Sequence, residues 1–191
     1  MIQKQSTREK ILDIVFMLVY TNGYNGTSIS MILKECEIPK GSLYHHFKSK
    51  QDIVLAVIKE RLFPKMDDFY DFSNPKNKHS VDVLINSINN IAKKELLIKY
   101  GCPLNRLNQE MSPIDKEFEN AITPIYDHIK EKIISLLKDT DFKTNINLEN
   151  LSEYVITSIW GALSLSPTQS SKERYLSTVS FLISYLKFIK K

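Results

Sequence analysis

Residues 27–50 read TSISMILKECEIPKGSLYHHFKSK, and their spacing decides the fold. Thr27 to Glu35 is a short helix with Ile29, Ile32 and Leu33 on its apolar face. Pro39 to Phe47 is a second short helix, with proline at a first-turn position where its missing N–H is no loss. Leu43 and Phe47 stand four apart and anchor one face of that helix. Only a tight turn at Cys36-Glu37 separates the pair. Upstream, Ile11, Ile14, Val15, Leu18 and Val19 form the stripe of a helix over Thr7–Thr21, started by Ser6 or Thr7 and stopped by Asn22-Gly23. Downstream, Ser49 and Asp52 have capping-box spacing and open a fourth helix, which Phe63-Pro64 ends.

Two short helices joined by a tight turn, on a third, make a helix-turn-helix, whose second helix fits the major groove of B-DNA. The side chains of PKGSLYHHF suit that groove. Once Leu43 and Phe47 face inward, Lys40, Ser42, Tyr44, His45 and His46 remain to hydrogen-bond outward. Gly41 removes a side chain where another backbone approaches closely. Residues 38–50 hold three lysines and no acid. Lys40 and Lys50 each sit in the first turn of an expected helix, the wrong end of the dipole for a cation. A phosphate at those same N-termini removes the penalty.

The remaining chain reads as helix throughout. Ser73–Ser80 is a polar loop, and Val81–Lys99 one helix. A shorter element follows Gly101-Cys102-Pro103. Ser112-Pro113-Ile114-Asp115 starts a helix running to Lys138. Leu148–Leu165 is the next, and Ser170 with Glu173 caps the last, to Lys190. The expected architecture is all-α, about nine helices in all: a three-helix head in residues 1–48 and a helical body in 49–191. With 191 residues, 42% hydrophobic, 25% charged and only 5 Gly and 7 Pro, the composition favours long helices over a turn-rich β fold. The net charge of +4 is compatible with nucleic acid without requiring it. No run of about 20 apolar residues spans a membrane and MIQKQSTREK has no apolar leader core, so a cytoplasmic location with Cys36 and Cys102 as reduced thiols is expected.

The stretch Thr7–Arg61 resembles the DNA-binding domain of the TetR family of bacterial regulators. The resemblance rests on Gly23-Tyr24, Thr27-Ser28-Ile29 and the run Lys40 to Lys50, KGSLYHHFKSK. It implies a three-helix DNA head, a connecting fourth helix, and a body that binds a ligand and dimerises. It places Tyr44 and Lys50 against phosphates, and Lys40, Gly41, His45 and His46 against backbone or bases. With Thr27, Ser28, Pro39 and Ser42, these form the expected DNA-binding set. Two features depart from the family pattern. The turn usually carries a small residue and then glycine, where this chain has Cys36-Glu37; a side chain at positive φ there costs about 1 kcal/mol or more. Pro39 replaces the commoner Ser or Thr cap.

Tyr100-Gly101-Cys102-Pro103-Leu104, with Leu107 and Glu110-Met111-Ser112, looks like a family subgroup with a GCPL-type segment. Trp160-Gly161-Ala162 is similar to a small-residue step in that subgroup's penultimate helix. In the last two helices, apolar residues exceed one stripe: Tyr154, Ile156, Ile159, Trp160, Leu163 and Leu165, then Tyr175, Leu176, Val179, Phe181, Leu182, Tyr185, Leu186 and Ile189. Either these helices pair with a second copy in a two-fold homodimer, or both lie centrally in the monomer. A dimer fits a palindromic or near-palindromic operator in double-stranded DNA. An unidentified small-molecule effector is expected among Phe63, Met66, Phe69, Tyr70, Cys102, Leu104, Met111, Phe118, Ile122, Tyr126 and Trp160, each of which is equally at home in a core. Cys102 suits either a buried small hydrophobe or a sensing thiol. His45, His46, His79 and His128 lack partners at metal-ligand spacing, and no HExxH, GxSxG or P-loop occurs, so no cofactor, metal or enzyme activity is expected. A protein-only helical adaptor would account for the body but not for KGSLYHHFKSK. The expected function is a regulator, by resemblance a repressor, that an effector releases from its operator by shifting the spacing of two heads.

Overall fold

The computed structural model describes residues 6–72, 79–165 and 171–191. Among these the protein is all-α; the only extended pairing is an isolated antiparallel bridge between Phe142 and Lys190. The chain forms two compact units. The first comprises Met1–Met66 and Arg106–Pro124, the second Asp67–Asn105 and Ile125–Lys191.

In the first unit, helix α1 spans Thr7–Asn22, with Ser6 Oγ accepting from the Glu9 N–H at 3.2 Å as its cap. Its buried face is Ile11, Leu12, Val15, Phe16, Val19 and Tyr20, wider than the expected stripe. Ile14 and Leu18 are only half-buried. Both α2 (Ile29–Cys36) and α4 (Lys50–Val57) pack on α1, so two adjacent faces are covered. Between them lies α3, Lys40–His46. Ser28 caps α2 and Ser49 caps α4, accepting from the Asp52 N–H at 3.0 Å as the capping-box spacing predicts.

The helix begun by α4 does not stop at Phe63-Pro64. It continues through a π-helical turn, Ile58–Leu62, into α5, Phe63–Phe69. In the widened turn the Phe63 N–H reaches back to the Ile58 carbonyl. A proline in a regular helix loses one N–H and clashes with the preceding turn; the π-turn immediately before Pro64 makes the room that keeps the helix intact. Arg8 and Arg61 tie this turn to α1. Arg8 donates to both Glu60 carboxylate oxygens, at 2.8 and 2.5 Å, and Arg61 donates to Asp13 at 2.5 Å and to Glu9.

Helices α6 (Ser80–Ile91), α7 (Glu95–Tyr100), α10 (Leu148–Ser164) and α11 (Ser171–Ile189) belong to the second unit. Helices α8 (Pro103–Met111) and α9 (Lys116–Leu137) begin in one unit and end in the other. The single helix expected over Val81–Lys99 is two, α6 and α7. The break follows Asn89-Asn90, a residue type that disfavours helix interiors, and Lys94 is extended (φ −92°, ψ 92°). The start expected at Ser112 is also displaced. Asp115 caps α9, accepting from the Glu117 N–H at 2.9 Å, whereas Ser112 donates to Asn108. The Ser73–Ser80 loop lies mostly outside the described residues, as does the Ser170 cap.

The second unit packs Leu84, Ile88 and Ile91 of α6 with Val155, Ile156 and Ile159 of α10 and Tyr175, Val179, Leu182 and Leu186 of α11, all buried. Two buried hydrogen bonds orient its aromatics: Tyr175 OH donates to the Ile88 carbonyl at 2.8 Å, and Trp160 Nε1 donates to Tyr70 OH at 2.9 Å.

Candidate nucleic-acid interface

Helix α3 divides by face as its spacing predicts. Leu43 is 1% and Phe47 7% exposed, and both seal the core of the first unit. Lys40, Gly41, Tyr44 and His45 are exposed, and Ser42 and His46 half-exposed. Lys40 Nζ lies 5.8 Å from the centre of the Tyr44 ring, and the His45 and His46 rings meet edge to face at 5.1 Å. A Cβ added at Gly41 would meet nothing within 4 Å, so nothing within the chain demands glycine there. The face therefore offers a cation, a phenol and two imidazoles with no carboxylate from its own helix. Such a surface can donate to phosphates and base edges.

The turn before α3 is left-handed despite its residues. Glu37 sits at φ 53°, ψ 43°, left-handed, and is the sole non-glycine at positive φ among the described residues. Its N–H closes onto the Leu33 and Lys34 carbonyls, and Cys36 is fully buried beside it. Pro39 is the N-cap residue rather than the first helical one; it is extended and offers no side-chain cap bond.

Three residues expected at DNA are occupied within the chain. Thr27 is completely buried, and its hydroxyl donates to the Gly23 carbonyl at 2.7 Å. The Ser28 hydroxyl caps α2 by accepting from Met31 N–H at 3.2 Å, while its side chain stays exposed. Lys50 turns inward. Its ammonium donates to the carbonyls of Tyr24 (2.9 Å) and Thr27 (3.1 Å) and lies 4.0 Å from the centre of the Tyr24 ring. Burial lowers the pKa of this lysine, and the Glu110 carboxylate opposes that shift. Sequence spacing reveals which helix end carries a lysine, but not that a turn 23 residues upstream supplies its acceptors.

Sequence reasoning passed over Glu110 and its partners. Glu110 accepts from the backbone N–H groups of Tyr24 and Asn25, each at 2.8 Å. The Tyr24 ring packs edge-on against Phe118 at 5.0 Å, and Gln51 donates to Asp115 and Glu117, each at 3.1 Å. The only sequence signal was the Glu110-Met111-Ser112 segment, whose role the spacing left open.

The residues expected around an effector divide between the two units. Phe63, Met66, Met111, Phe118 and Ile122 belong to the first, where all but the half-exposed Phe63 are buried. Phe69, Tyr70, Cys102, Leu104, Tyr126 and Trp160 belong to the second. There, Tyr126 meets Trp160 edge to face at 5.4 Å and its hydroxyl donates to Glu153. Burial pushes the Cys102 thiol up to about 11, the opposite of an activated thiolate. A groove of about 490 Å³ opens elsewhere on this unit, lined by Asn145, Ile146, Asn147, Asn150, Leu151, Tyr154 and Tyr185 and by none of the expected effector residues. No helix among the described residues is long and apolar enough to cross a membrane.

Residues 11–57 match the family model described as bacterial regulatory proteins, tetR family. An uncharacterised HTH-type transcriptional regulator in the lacX 3′ region of Lactococcus lactis subsp. lactis is 30% identical over 168 residues, which cover 84% of this chain and 83% of that protein. The Staphylococcus aureus (strain Newman) negative transcriptional regulator of the biofilm operon icaADBC, IcaR, is 28% identical over 181 residues, covering 88% and 95% respectively. A TetR transcriptional regulator from Chloroflexus aurantiacus shares the fold, with a TM-score of 0.83 at 23% identity over 95% of this chain and 94% of that one. The helix-turn-helix geometry and these relationships agree: the chain belongs to the TetR family of bacterial transcriptional regulators.

Proposed function

We propose that this protein is a cytoplasmic, dimeric repressor that binds a near-palindromic operator through α3 and is released by a small-molecule effector. The exposed face of α3, with Lys40, Tyr44, His45 and His46 on a helix anchored by Leu43 and Phe47, carries the reading of DNA binding. Lys40, Ser42 and His45 read base edges, Tyr44 contacts phosphate, and Gly41 admits the backbone. Thr27, Ser28 and Lys50 support that face by fixing the turn and cap that start α2. Repression follows the sign of IcaR, a negative regulator by its name.

Dimerisation through α10 and α11 is supported by their outward faces. Phe181 and Phe188 are 77% and 70% exposed, and Tyr154, Leu165, Leu176 and Tyr185 of the same two segments are exposed as well. So much exposed aromatic surface on one helix pair marks an interaction site. A Cβ at Gly161 would meet nothing within 4 Å, leaving room for another helix to approach. The effector reading rests on buried Tyr70, Cys102 and Trp160 with half-buried Tyr126 beside Trp160, all within the second unit.

The test is a gel shift on DNA fragments flanking the protein's own gene. Retarded complexes that fade as salt rises are expected, because phosphate contacts release counterions. Absence of a shift on every flanking fragment would overturn the proposal.

A further inference from the structure

Opposite charges hold the turn between α1 and α2 from two sides. Lys50 takes its carbonyls, those of Tyr24 and Thr27. Glu110, on the last turn of α8, takes its N–H groups: Oε2 accepts from Tyr24 and Oε1 from Asn25, each at 2.8 Å, and Asn25 Nδ2 adds a third bond to Oε1 at 3.0 Å. The fit is close. Gly23 sits at φ +80°, which selects glycine, and a Cβ there would lie 2.8 Å from Glu110 Oε2 and displace the carboxylate. Two N–H groups aimed at two oxygens of one side chain require a carboxylate. Glutamine would present an NH₂ to one donor, and aspartate is one methylene too short. Hydrogen bonds to an ionised acceptor are about twice as strong as neutral ones.

The same turn leads directly into the Ser28 cap of α2, the first helix of the DNA-reading pair. Glu110 itself lies outside residues 11–57, where the family model matches. Helix α8 enters the first unit from the second along the chain, and α9 returns to it. Within the first unit, Glu110 supplies the hydrogen bonds that join α8 to this turn.

We propose that Glu110 is a positioning residue for operator recognition: its carboxylate fixes the α1–α2 turn on α8 and so fixes the angle at which α2 and α3 are presented. This rests on the reading of the protein as a dimeric operator-binding regulator. A dimer discriminates half-site spacing only when each head is held rigidly on the helices that carry it. Losing the carboxylate leaves α3 intact and frees its angle. Half-site preference is then retained, while spacing preference is relaxed.

The experiment uses the full-length protein and duplexes carrying its own operator, with the distance between half-sites changed by one base pair at a time. Wild type is expected to bind best at one spacing. In Glu110→Ala, the affinity ratio between that spacing and its neighbours should fall by about fivefold or more, with base preference within each half-site unchanged. NMR amide exchange at Tyr24 and Asn25 should accelerate, while Val15 and Ile32 in the head core stay protected. Glu110→Gln, which keeps one acceptor, should fall between the two and serves where the alanine variant does not fold. A sharp spacing optimum shared by wild type and the variants, at whatever overall affinity, overturns the inference alone. A wild-type protein that shifts no fragment overturns the proposed function and the inference with it.

Discussion

Glu37 shows how one residue can keep a turn that its side chain disfavours. Its left-handed backbone closes α2 through two bonds from a single N–H, and the nearby Lys10 ammonium, at 3.8 Å, screens its exposed charge only weakly. Glu37→Gly is expected to stabilise the protein by up to about 1 kcal/mol, the relief of strain outweighing the extra freedom of the unfolded chain. Glu37→Val should destabilise it by about 1 kcal/mol, since branching at Cβ worsens the left-handed conformation. Urea unfolding midpoints check both. Tyr175 makes the converse point in the second unit. It is fully buried and bonds to the Ile88 carbonyl, and burial raises the pKa of its phenol. Tyr175→Phe keeps the packing and deletes the bond, so a loss of about 1 kcal/mol is expected by the same measurement.

At the scale of elements, α3 is short and has no side-chain cap, so its position depends on Leu43 and Phe47 rather than on its own helical stability. Its outward residues are therefore separable from folding. Tyr44→Ala is expected to weaken DNA binding about tenfold across sequences and His45→Ala to change which sites are preferred, both read by gel shift on a panel of operator variants. The α4–π–α5 helix shows a different principle. Pro64 predicts a stop, yet the chain continues because the preceding turn is wide and Arg8 and Arg61 clamp it to α1. Arg8 holds the Glu60 carboxyl below its ordinary value of 4.5. A depressed carboxyl stabilises the folded state above its unfolded value and loses that contribution as pH falls through the folded one. Stability should thus decline below about pH 4.5, and Glu60→Gln should flatten that part of the profile, as thermal melts across pH 3–6 would show.

For the whole molecule, the outward faces of α10 and α11 are the feature that a monomer leaves unexplained. Phe181→Asp with Phe188→Asp is expected to turn a dimer into a monomer in analytical ultracentrifugation. The monomer should bind its operator at least about tenfold more weakly, since two linked half-site contacts become one. Unchanged mass for the double variant would send the interface elsewhere on the protein. The inward faces of the same helices, with Tyr175, Val179, Leu182 and Leu186 buried, keep the subunit folded in this test.

The all-α class, the helix-turn-helix and the split of α3 into an anchoring and an outward face were legible in the sequence, because each depends on neighbours within one or two helical turns. Capping at Ser49 and the strained turn at Glu37 were legible for the same reason. Tertiary structure decided what depends on partners far along the chain. It buried Thr27, turned Lys50 inward onto Tyr24 and Thr27, and brought Glu110 from 86 residues away to the Tyr24 amide. It also let the helix pass Pro64 and divided the expected effector residues between two units. Local spacing sets which way a side chain leaves its helix; only packing determines which backbone groups stand there to receive it.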